Sequence, residues 1–299
     1  MTNSKYSTVI IIYNPNSSSG QAAVKAERLR NRLNKRDFSV IKVIATAHAG
    51  HAEELAYREA KLHAHAIIIS VSGDGGYNEV INGAKRADTE TGHHTVCAIL
   101  AAGNANDHRR SVRKQPLSRA VLKATPEAVD ILKLTATYGD TTFVRYAHSY
   151  IGLGVTSHAA AELNQSRLTR VKEISIVVRT LFNFMPVRVK FKGERERKYD
   201  SIIFANIHQM SKVIRIGKKT NLKNGLFKIV VIPHQTRLKL IYRVMKIAIF
   251  GVRKPIQREA VTFTLPVSEL VHFDGEVHTL PGGAKVTVES ERGGLLTVR

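Results

Sequence analysis

The chain has 299 residues, of which 43% are hydrophobic, so it can bury a substantial core and its length favours two domains. Lys and Arg number 46 against 24 Asp and Glu, a formal net charge of +22 that would attract nucleic acid, anionic lipid or phosphorylated substrates. A generally basic proteome would produce the same excess. The apolar segments are too short to span a bilayer, and no signal peptide is expected. The single cysteine, Cys97, is expected in the core, and it excludes a disulfide within the chain, which fits the cytosol.

The first 125 residues alternate strand and helix patterns. Strands are predicted over 8–13, 38–45, 66–71 and 96–100, and helices over 21–35, over 52–62 and from about Asn78 onward. Such alternation indicates an α/β domain with a mostly parallel sheet, in which ligands bind beyond the carboxyl ends of the strands. Three polar loops that contain glycine follow the first, third and fourth strands.

The loop after the third strand is the most informative of these. It contains Ser72, Gly73, Asp74, Gly75 and Gly76 directly after a buried apolar run. Glycine permits positive φ and lets backbone N–H groups approach an anion, and the helix that follows adds its positive end. Asp74 is expected inside the loop, where its carboxylate would help to place a metal or a water beside phosphate. The pattern predicts a nucleotide site.

The pattern of predicted secondary structure changes after about residue 125. Many short strands predict a β-rich second domain of antiparallel, sandwich-like type, so that the expected domains are 1–125 and 126–299. The strands are expected over 129–134, 142–146, 187–191, 201–205, 227–232, 260–265, 278–280 and 285–289. Two basic amphipathic helices, over 168–182 and 240–248, fit either an anionic membrane surface or an ordinary core face with a solvated rim. The core face is the favoured interpretation.

Four motifs together resemble the diacylglycerol kinase catalytic-domain family, which includes soluble bacterial lipid kinases and the sphingosine and ceramide kinases. Their order and approximate spacing agree with the family over nearly the whole chain, and the resemblance implies a nucleotide-binding α/β domain followed by a β-rich domain. The motifs are Asn14-Pro15 through Ser19-Gly20, Gly73-Asp74-Gly75 with Asn78-Glu79-Val80, Gly103 with Asn106-Asp107, and Asp274-Gly275-Glu276.

The resemblance implies phosphoryl transfer from Mg-ATP to a lipid hydroxyl. Glu276 matches the proposed general base of the family, and Asp74 is the second expected catalytic residue. An ordinary polar turn is the alternative interpretation of residues 274–276, and the other three motifs favour catalysis. The implied nucleotide contacts are Asn14, Ser19, Thr46, Ser72, Gly73, Asp74, Gly75, Gly76, Asn78, Gly103, Asn104, Asn106 and Asp107.

The chain departs from the family pattern at several positions. Ser72 replaces the first glycine of the usual Gly-Gly-Asp-Gly-Thr, Gly76 replaces its threonine, and Asn104 replaces the threonine of the third loop. Each lost hydroxyl contact would weaken ATP binding by about 0.5–1.5 kcal/mol. Lys223 and Asn224 replace the two acids that support a structural magnesium site in soluble bacterial members. That site is therefore predicted to be absent, and magnesium is expected to arrive with ATP.

Three close histidine pairs, at 48 and 51, 63 and 65, and 93 and 94, are expected to be surface residues and not metal ligands.

The expected activity is that of a diacylglycerol kinase-like lipid kinase, cytoplasmic and peripheral at the inner membrane face. Exposed strand edges would permit a homodimer. The alternatives are a catalytically silent protein that binds anionic membrane or nucleic acid, the latter unlikely without an RNA-binding motif, and a kinase for a nucleotide such as NAD. The sequence does not distinguish diacylglycerol from a sphingoid base or an isoprenoid alcohol as acceptor.

Overall fold

A computed structural model describes residues 6–34, 38–103, 105–112, 115–123, 125–158, 184–210, 214–218 and 221–299. The chain divides into two compact units, of which unit 1 comprises Met1–Val129 with Gly293–Arg299 and unit 2 comprises Asp130–Arg292. The helix predicted over 168–182 lies outside the described residues. Among the described residues, no helix combines the length and the hydropathy that crossing a membrane requires.

Unit 1 is built on a parallel sheet with the strand order β2-β1-β3-β4. All seven residues of β3 are buried, because helices cover such sheets on both faces. The strands are β1 (Thr8–Tyr13), β2 (Val40–Ala45), β3 (Ala66–Ser72) and β4 (Val96–Ala101). The helices are α1 (Gln21–Leu33), α2 (His51–Leu62), α3 (Asp74–Thr91), α4 (Asp107–Val112) and α5 (Leu117–Lys123). This arrangement confirms the predicted α/β fold, with Cys97 buried in its core as expected.

The register of the sheet brings the ends of the strands to one edge. Tyr13, the last residue of β1, is level with Ala45 at the end of β2 and with Val71 in β3. At the end of β3, Ser72 is level with Ala101 of β4. The loops that follow all four strands therefore leave the sheet at the same edge.

Unit 2 is made mainly of antiparallel strands, as predicted. Its core contains Phe204, Phe227, Phe263 and Phe273, all buried. The strands are β5 (Glu127–Tyr138), β6 (Thr141–Ala147), β7 (Tyr150–Gly154), β8 (Val187–Phe191), β9 (Arg197–Ala205), β10 (Gln209–Met210), β11 (Ile214–Arg215), β12 (Phe227–Pro233), β13 (Ile256–Arg258), β14 (Ala260–Thr264), β15 (Glu269–Phe273), β16 (Glu276–Leu280) and β17 (Lys285–Thr297). Both β5 and β17 cross the boundary between the units, and Leu296 of β17 pairs in parallel with Val96 of β4.

Unit 2 also contains helix α6 (Arg237–Phe250), which the sequence predicts over 240–248. Leu240 is buried against Phe184 and Ile232, as expected of a core face. Met245, however, was expected in the same core face and is exposed. The core-face interpretation is therefore wrong for part of this helix, because its apolar residues are divided between two faces.

Candidate functional site

The first, second and third polar loops of unit 1 are joined by hydrogen bonds at the carboxyl edge of the sheet. The Asn14 backbone N–H donates to the Val71 carbonyl at 3.4 Å, and the Ser18 hydroxyl donates to the Ala102 carbonyl at 2.7 Å. The Ala102 N–H in turn donates to the Ser72 carbonyl at 2.8 Å. The structure thus gathers the three predicted loops into one region.

Thr46 lies at the same edge, directly after β2. Its backbone N–H donates to the carbonyl of Tyr13, the last residue of β1, at 2.9 Å. The next stretch of chain, from Ala47 to Gly50, leads into α2. Thr46 is therefore close in the fold to Asn14, as the predicted nucleotide contacts require.

The glycines of these loops permit close contact between two segments of backbone. A Cβ atom on Gly103 would overlap the Gly73 Cα, and one on Gly73 would lie 3.3 Å from the Gly103 Cα. The expectation of positive φ in the glycine loop is wrong: Gly73 has φ −83°, and neither Gly75 nor Gly76 is among the glycines with positive φ. The loops after β3 and β4 need glycine because they touch each other.

Asp74 was expected inside the loop, but it is the first residue of α3, which begins four residues earlier than predicted. Its buried carboxylate accepts the backbone N–H groups of Asp107 at 3.0 Å and His108 at 3.3 Å. These are the first two residues of α4, whose N–H groups have no partner within the helix. Asp74 therefore caps α4 and holds the third loop in place.

Glu79 does the same for the loop that carries Thr46. Its two carboxylate oxygens accept the backbone N–H groups of Gly50 at 3.0 Å and Ala52 at 3.1 Å, at the start of α2. A carboxylate at a helix N-terminus is stabilised both by these hydrogen bonds and by the helix dipole. Two acids of the second motif thus fix the two loops on either side of it.

The remaining predicted residues differ in how accessible they are. Asn78 is fully buried, and its side-chain oxygen accepts from the Asn82 amide at 3.0 Å. Asp107 is buried as well. Asn106 has φ +52°, and its side chain accepts from Gly103 N–H and donates to Gly103 carbonyl. Asn104 and the side chain of Ser19 lie outside the described part of the chain.

The buried side chain of Ser72 is occupied within the protein. Its hydroxyl lies 2.7 Å from that of Ser70 and donates to the Gly73 carbonyl at 2.9 Å. A Cβ atom on Gly76 would lie 2.7 Å from the Ser72 Oγ and 2.8 Å from its Cβ. What the loop presents at partly exposed positions is the backbone of Gly73, Gly75 and Gly76 at the N-terminus of α3.

In unit 2, Asp274 and Gly275 form the turn between β15 and β16. Phe273 pairs with Glu276 across this hairpin, and both turn residues have positive φ, +52° and +119°. Asp-Gly is a favoured sequence for a two-residue hairpin turn with that backbone conformation. Glu276, partly buried, is the first residue of β16.

The Asp274 side chain anchors this turn. The carboxylate is buried and accepts three backbone N–H groups, from His148 at 2.7 Å, Ser149 at 3.0 Å and Tyr150 at 2.8 Å. An ordinary polar turn would leave its carboxylate in water, so that interpretation does not describe Asp274. The turn is held by the segment that leads into β7, and the position of Glu276 is fixed with it.

The sequence analysis missed the buried His148 and Ser149. The His148 Nε2 lies 3.3 Å from an Asp274 carboxylate oxygen, and its Nδ1 lies 2.8 Å from the Ser149 hydroxyl. Nothing in the local sequence marks these residues, because their contact with Asp274 spans more than 120 positions.

The buried His272 on β15 is expected to make the stability of the protein depend on pH. Burial lowers the pKa of His272 to about 4, and burial together with the charge of Arg145 lowers the pKa of His278 to about 4. Between pH 6.5 and pH 4 the unfolded chain therefore binds protons that the folded chain does not. The free energy of unfolding should fall as the pH falls through this window, because the proton-rich unfolded state is favoured.

We expect His272→Gln to reduce this dependence by about 1.4 kcal/mol per pH unit, the contribution of one proton taken up on unfolding. Urea unfolding at several pH values between 4 and 7 would measure it. The control is His65→Gln, since His65 is an exposed residue. An unchanged slope in the His272 variant would show that His272 takes up its proton over the same pH range in the folded and the unfolded protein, which would contradict the lowered pKa.

The loop at residues 221–226 closes through amide side chains. Asn221 Oδ1 accepts the Lys223 N–H at 3.1 Å, and Asn224 Oδ1 accepts the Leu226 N–H at 3.2 Å. The Gly225 N–H donates to the Asp130 carboxylate at 2.7 Å. The Arg292 guanidinium packs against Gly225, because a Cβ atom added to Gly225 would lie 2.5 Å from the Arg292 Nε.

The described residues contain no group of three or more His, Cys, Asp or Glu able to hold a metal. One carboxylate beside a lysine and an arginine does not fit magnesium.

We expect the unfolding temperature of the wild-type protein to be the same in millimolar Mg²⁺ and in EDTA. The double variant Lys223→Asp/Asn224→Asp should unfold at a higher temperature with Mg²⁺ than with EDTA, because a ligand that binds the folded state stabilises it. Thermal unfolding followed by circular dichroism compares the two proteins. A wild-type protein stabilised by Mg²⁺ without nucleotide would contradict the predicted loss of the site.

Comparison with known proteins gives a match to one family over the first part of the chain. The model of the diacylglycerol kinase catalytic domain matches residues 8–134, which include β1 to β4 and the gathered loops. Over that segment the chain is similar to the diacylglycerol kinase catalytic domain, as the motifs of the first, second and third loops predict.

Two curated relatives have lipid kinase names. The chain is 27% identical over 190 residues to the "Probable lipid kinase YegS-like" of Chromohalobacter salexigens, covering 61% of this chain and 58% of that protein. It is 23% identical over 280 residues to a Bacillus subtilis protein, YtlR, that also has a lipid kinase name, covering 85% of this chain and 87% of that one. A solved structure of a diacylglycerol kinase from Bacillus anthracis strain Sterne shares the fold, with a TM-score of 0.71 and 19% identity over 99% of this chain and 98% of that one.

Proposed function

We propose that this protein is a lipid kinase, which transfers the γ-phosphoryl group of ATP to a hydroxyl of diacylglycerol or a related lipid. The observation that carries the proposal is the gathering of three motif loops around the N-terminus of α3, an eighteen-residue helix. Backbone N–H groups and the dipole at such a helix end favour phosphate. The sequence order of the motifs and the family match support the same activity.

In this proposal the backbone of Gly73, Gly75 and Gly76 receives the phosphates of ATP. The loops that carry Asn14 with Ser19, Thr46, and Gly103 with Asn104 and Asn106 surround the nucleotide. Asp74 and Glu79 position these loops through the caps of α4 and α2, and Asn78 and Asp107 support them from buried positions. A direct catalytic role for Asp74 stays a prediction. Magnesium bound with ATP would neutralise charge on the transferring phosphoryl group.

Glu276 is the proposed general base. The proton of the lipid hydroxyl would pass to its carboxylate as the hydroxyl oxygen forms a bond to the γ-phosphorus and the bond to the ADP oxygen breaks. Asp274 is a positioning residue, because its three hydrogen bonds hold the turn from which Glu276 begins. We further propose that the enzyme works at the inner face of the membrane, where its acceptor would be found.

The test is transfer of label from γ-labelled ATP, with magnesium, to diacylglycerol, a sphingoid base and an isoprenoid alcohol in mixed micelles, with NAD as a soluble acceptor. A labelled lipid is the expected product. Label on NAD alone would contradict the lipid kinase proposal. Calorimetric titration with ATP accompanies the assay. No transfer and no ATP binding would favour the catalytically silent alternative, whereas ATP binding without transfer would require a wider panel of acceptors.

A further inference from the structure

Helix α6 exposes a stripe of large apolar side chains. Leu238, Tyr242, Met245 and Ile249 follow one another at intervals of four, three and four residues, which places them on one face of the helix. Their exposed fractions are 80%, 69%, 57% and 69%. These four residues, called the α6 stripe below, form a continuous apolar surface of the kind that marks an interaction site.

The stripe is not the face that packs α6 against unit 2. On another face of α6, Leu240 is buried against Phe184 and Ile232, with Val244 and Ile247 packed around it. That face is sufficient to hold α6 on unit 2, because a globular helix needs one apolar face. The α6 stripe is therefore a second apolar surface.

Cations lie directly beside the stripe. Lys239, Arg243 and Lys246 are exposed and follow the same helical spacing, one residue after each of Leu238, Tyr242 and Met245. The surrounding sequence has an unusual charge: residues 201–258 contain thirteen Lys and Arg and no Asp or Glu. More than half of the net charge of +22 thus lies in about one fifth of the chain.

A groove of ≈ 400 Å³ beside α6 extends the same combination. Apolar residues of β12 and β13 line it, including Ile229, Val231 and Ile256, and its basic residues are Arg243, Lys246 and Lys254. Apolar surface beside cations is complementary to a bilayer of anionic lipid, which has phosphates at the surface and hydrocarbon beneath. A nucleic acid would engage the cations and leave the α6 stripe in water.

We propose that the α6 stripe, with Lys239, Arg243 and Lys246, docks this protein on anionic phospholipid bilayers. The stripe enters the boundary between headgroups and acyl chains, and the cations contact phosphates. The biological role of this docking rests on the proposed function, because a lipid kinase must reach an acceptor that lies in a membrane. Binding to vesicles requires neither ATP nor turnover, so the two proposals can be tested separately.

The chain has no tryptophan, so a single Tyr242→Trp substitution gives an unambiguous fluorescent probe on the stripe. Vesicles of equal parts phosphatidylglycerol and phosphatidylcholine should shift its emission to the blue, and brominated acyl chains should quench it. Leu62→Trp, on α2 and also well exposed, is the control whose emission should not change. If the protein sediments with these vesicles while the emission of Trp at 242 is unchanged, another face binds and the proposal is wrong.

The charge of the face is tested by Lys239→Glu/Lys246→Glu. Each cation near an anionic surface contributes about 1 kcal/mol, so this variant should lose at least about tenfold in vesicle partitioning. Arg28→Glu/Arg32→Glu on α1 changes the net charge equally and should lose much less. Equal losses in both variants would show that only total charge matters. Absence of wild-type binding to anionic vesicles would overturn docking, whereas docking without lipid phosphorylation would overturn only the proposed function.

Discussion

Replacing Glu276 by glutamine should lower kcat for lipid phosphorylation by about 10²–10⁴-fold, the usual contribution of a general base. Glutamine keeps the size of the side chain but does not accept the hydroxyl proton. Asp274 holds the turn through hydrogen bonds of its own, so the fold and the affinity for ATP should be unchanged. Initial rates of label transfer, with calorimetry for ATP and circular dichroism for folding, measure the three quantities.

Glu259→Gln is the matched control, because Glu259 is an exposed glutamate of the same unit. It should retain wild-type activity. Glu276→Asp keeps the carboxylate but shortens the side chain, so its rate should lie between those of the wild type and the glutamine variant. Full activity of Glu276→Gln with the lipid that the wild type phosphorylates would remove Glu276 from the mechanism.

The α/β half of the fold is predictable because its signals are local. The apolar run in β3 and the alternation of strands with helices identify a parallel sheet, and a parallel sheet determines where its loops meet. The short strands β7 and β15 were not predicted, since Tyr150–Gly154 includes two glycines and Glu269–Phe273 has a mixed pattern. Pairing of β7 with β9 and of β15 with β7, which joins segments distant in sequence, determines their structure.

The sequence predicts that the motif loops meet, but it does not predict which contacts the individual side chains make within the protein. The resemblance names Asp74 and Asn78 as nucleotide contacts, yet the first caps α4 and the second is fully buried. The contact of Asp74 with Asp107 joins segments that are distant in sequence. The contact of Asn78 with Asn82 lies within α3, whose start was predicted four residues too late. A residue can thus belong to a binding motif because it positions the groups that bind.

The exposed stripe of α6 also could not be predicted from the sequence pattern alone. Its residues have the helical spacing expected of a core face, and sequence spacing does not state which of two apolar faces the fold covers. The structure covers the face of Leu240 and leaves that of Leu238 and Tyr242 exposed. The one indication of an exposed basic face in the sequence is that residues 201–258 contain no Asp or Glu.

The departures from the family pattern at Ser72 and Gly76 explain each other. A Cβ at position 76 would lie only 2.7–2.8 Å from the Oγ and Cβ of Ser72, so the chain holds a side chain at one position or the other. Restoring the family threonine alone, Gly76→Thr, should therefore destabilise the protein by about 1–3 kcal/mol, the usual cost of overpacking. It should also weaken ATP binding by disturbing the start of α3.

The double variant Ser72→Gly/Gly76→Thr should recover much of this loss, with a coupling energy of about 0.5–3 kcal/mol in a double-mutant cycle of urea unfolding. Its new hydroxyl should strengthen ATP binding relative to wild type by about 0.5–1.5 kcal/mol, one hydrogen bond. Ser157→Ala combined with Gly76→Thr is the control, because Ser157 is a buried serine of unit 2 that donates to the Gly154 carbonyl and makes no contact with a Cβ at position 76, so its effects should add. If Gly76→Thr alone is as stable as wild type, Ser72 does not occupy this space. A coupled pair would mean that the serine at position 72 and the glycine at position 76 depend on each other, because the fold has room for a side chain at only one of the two positions.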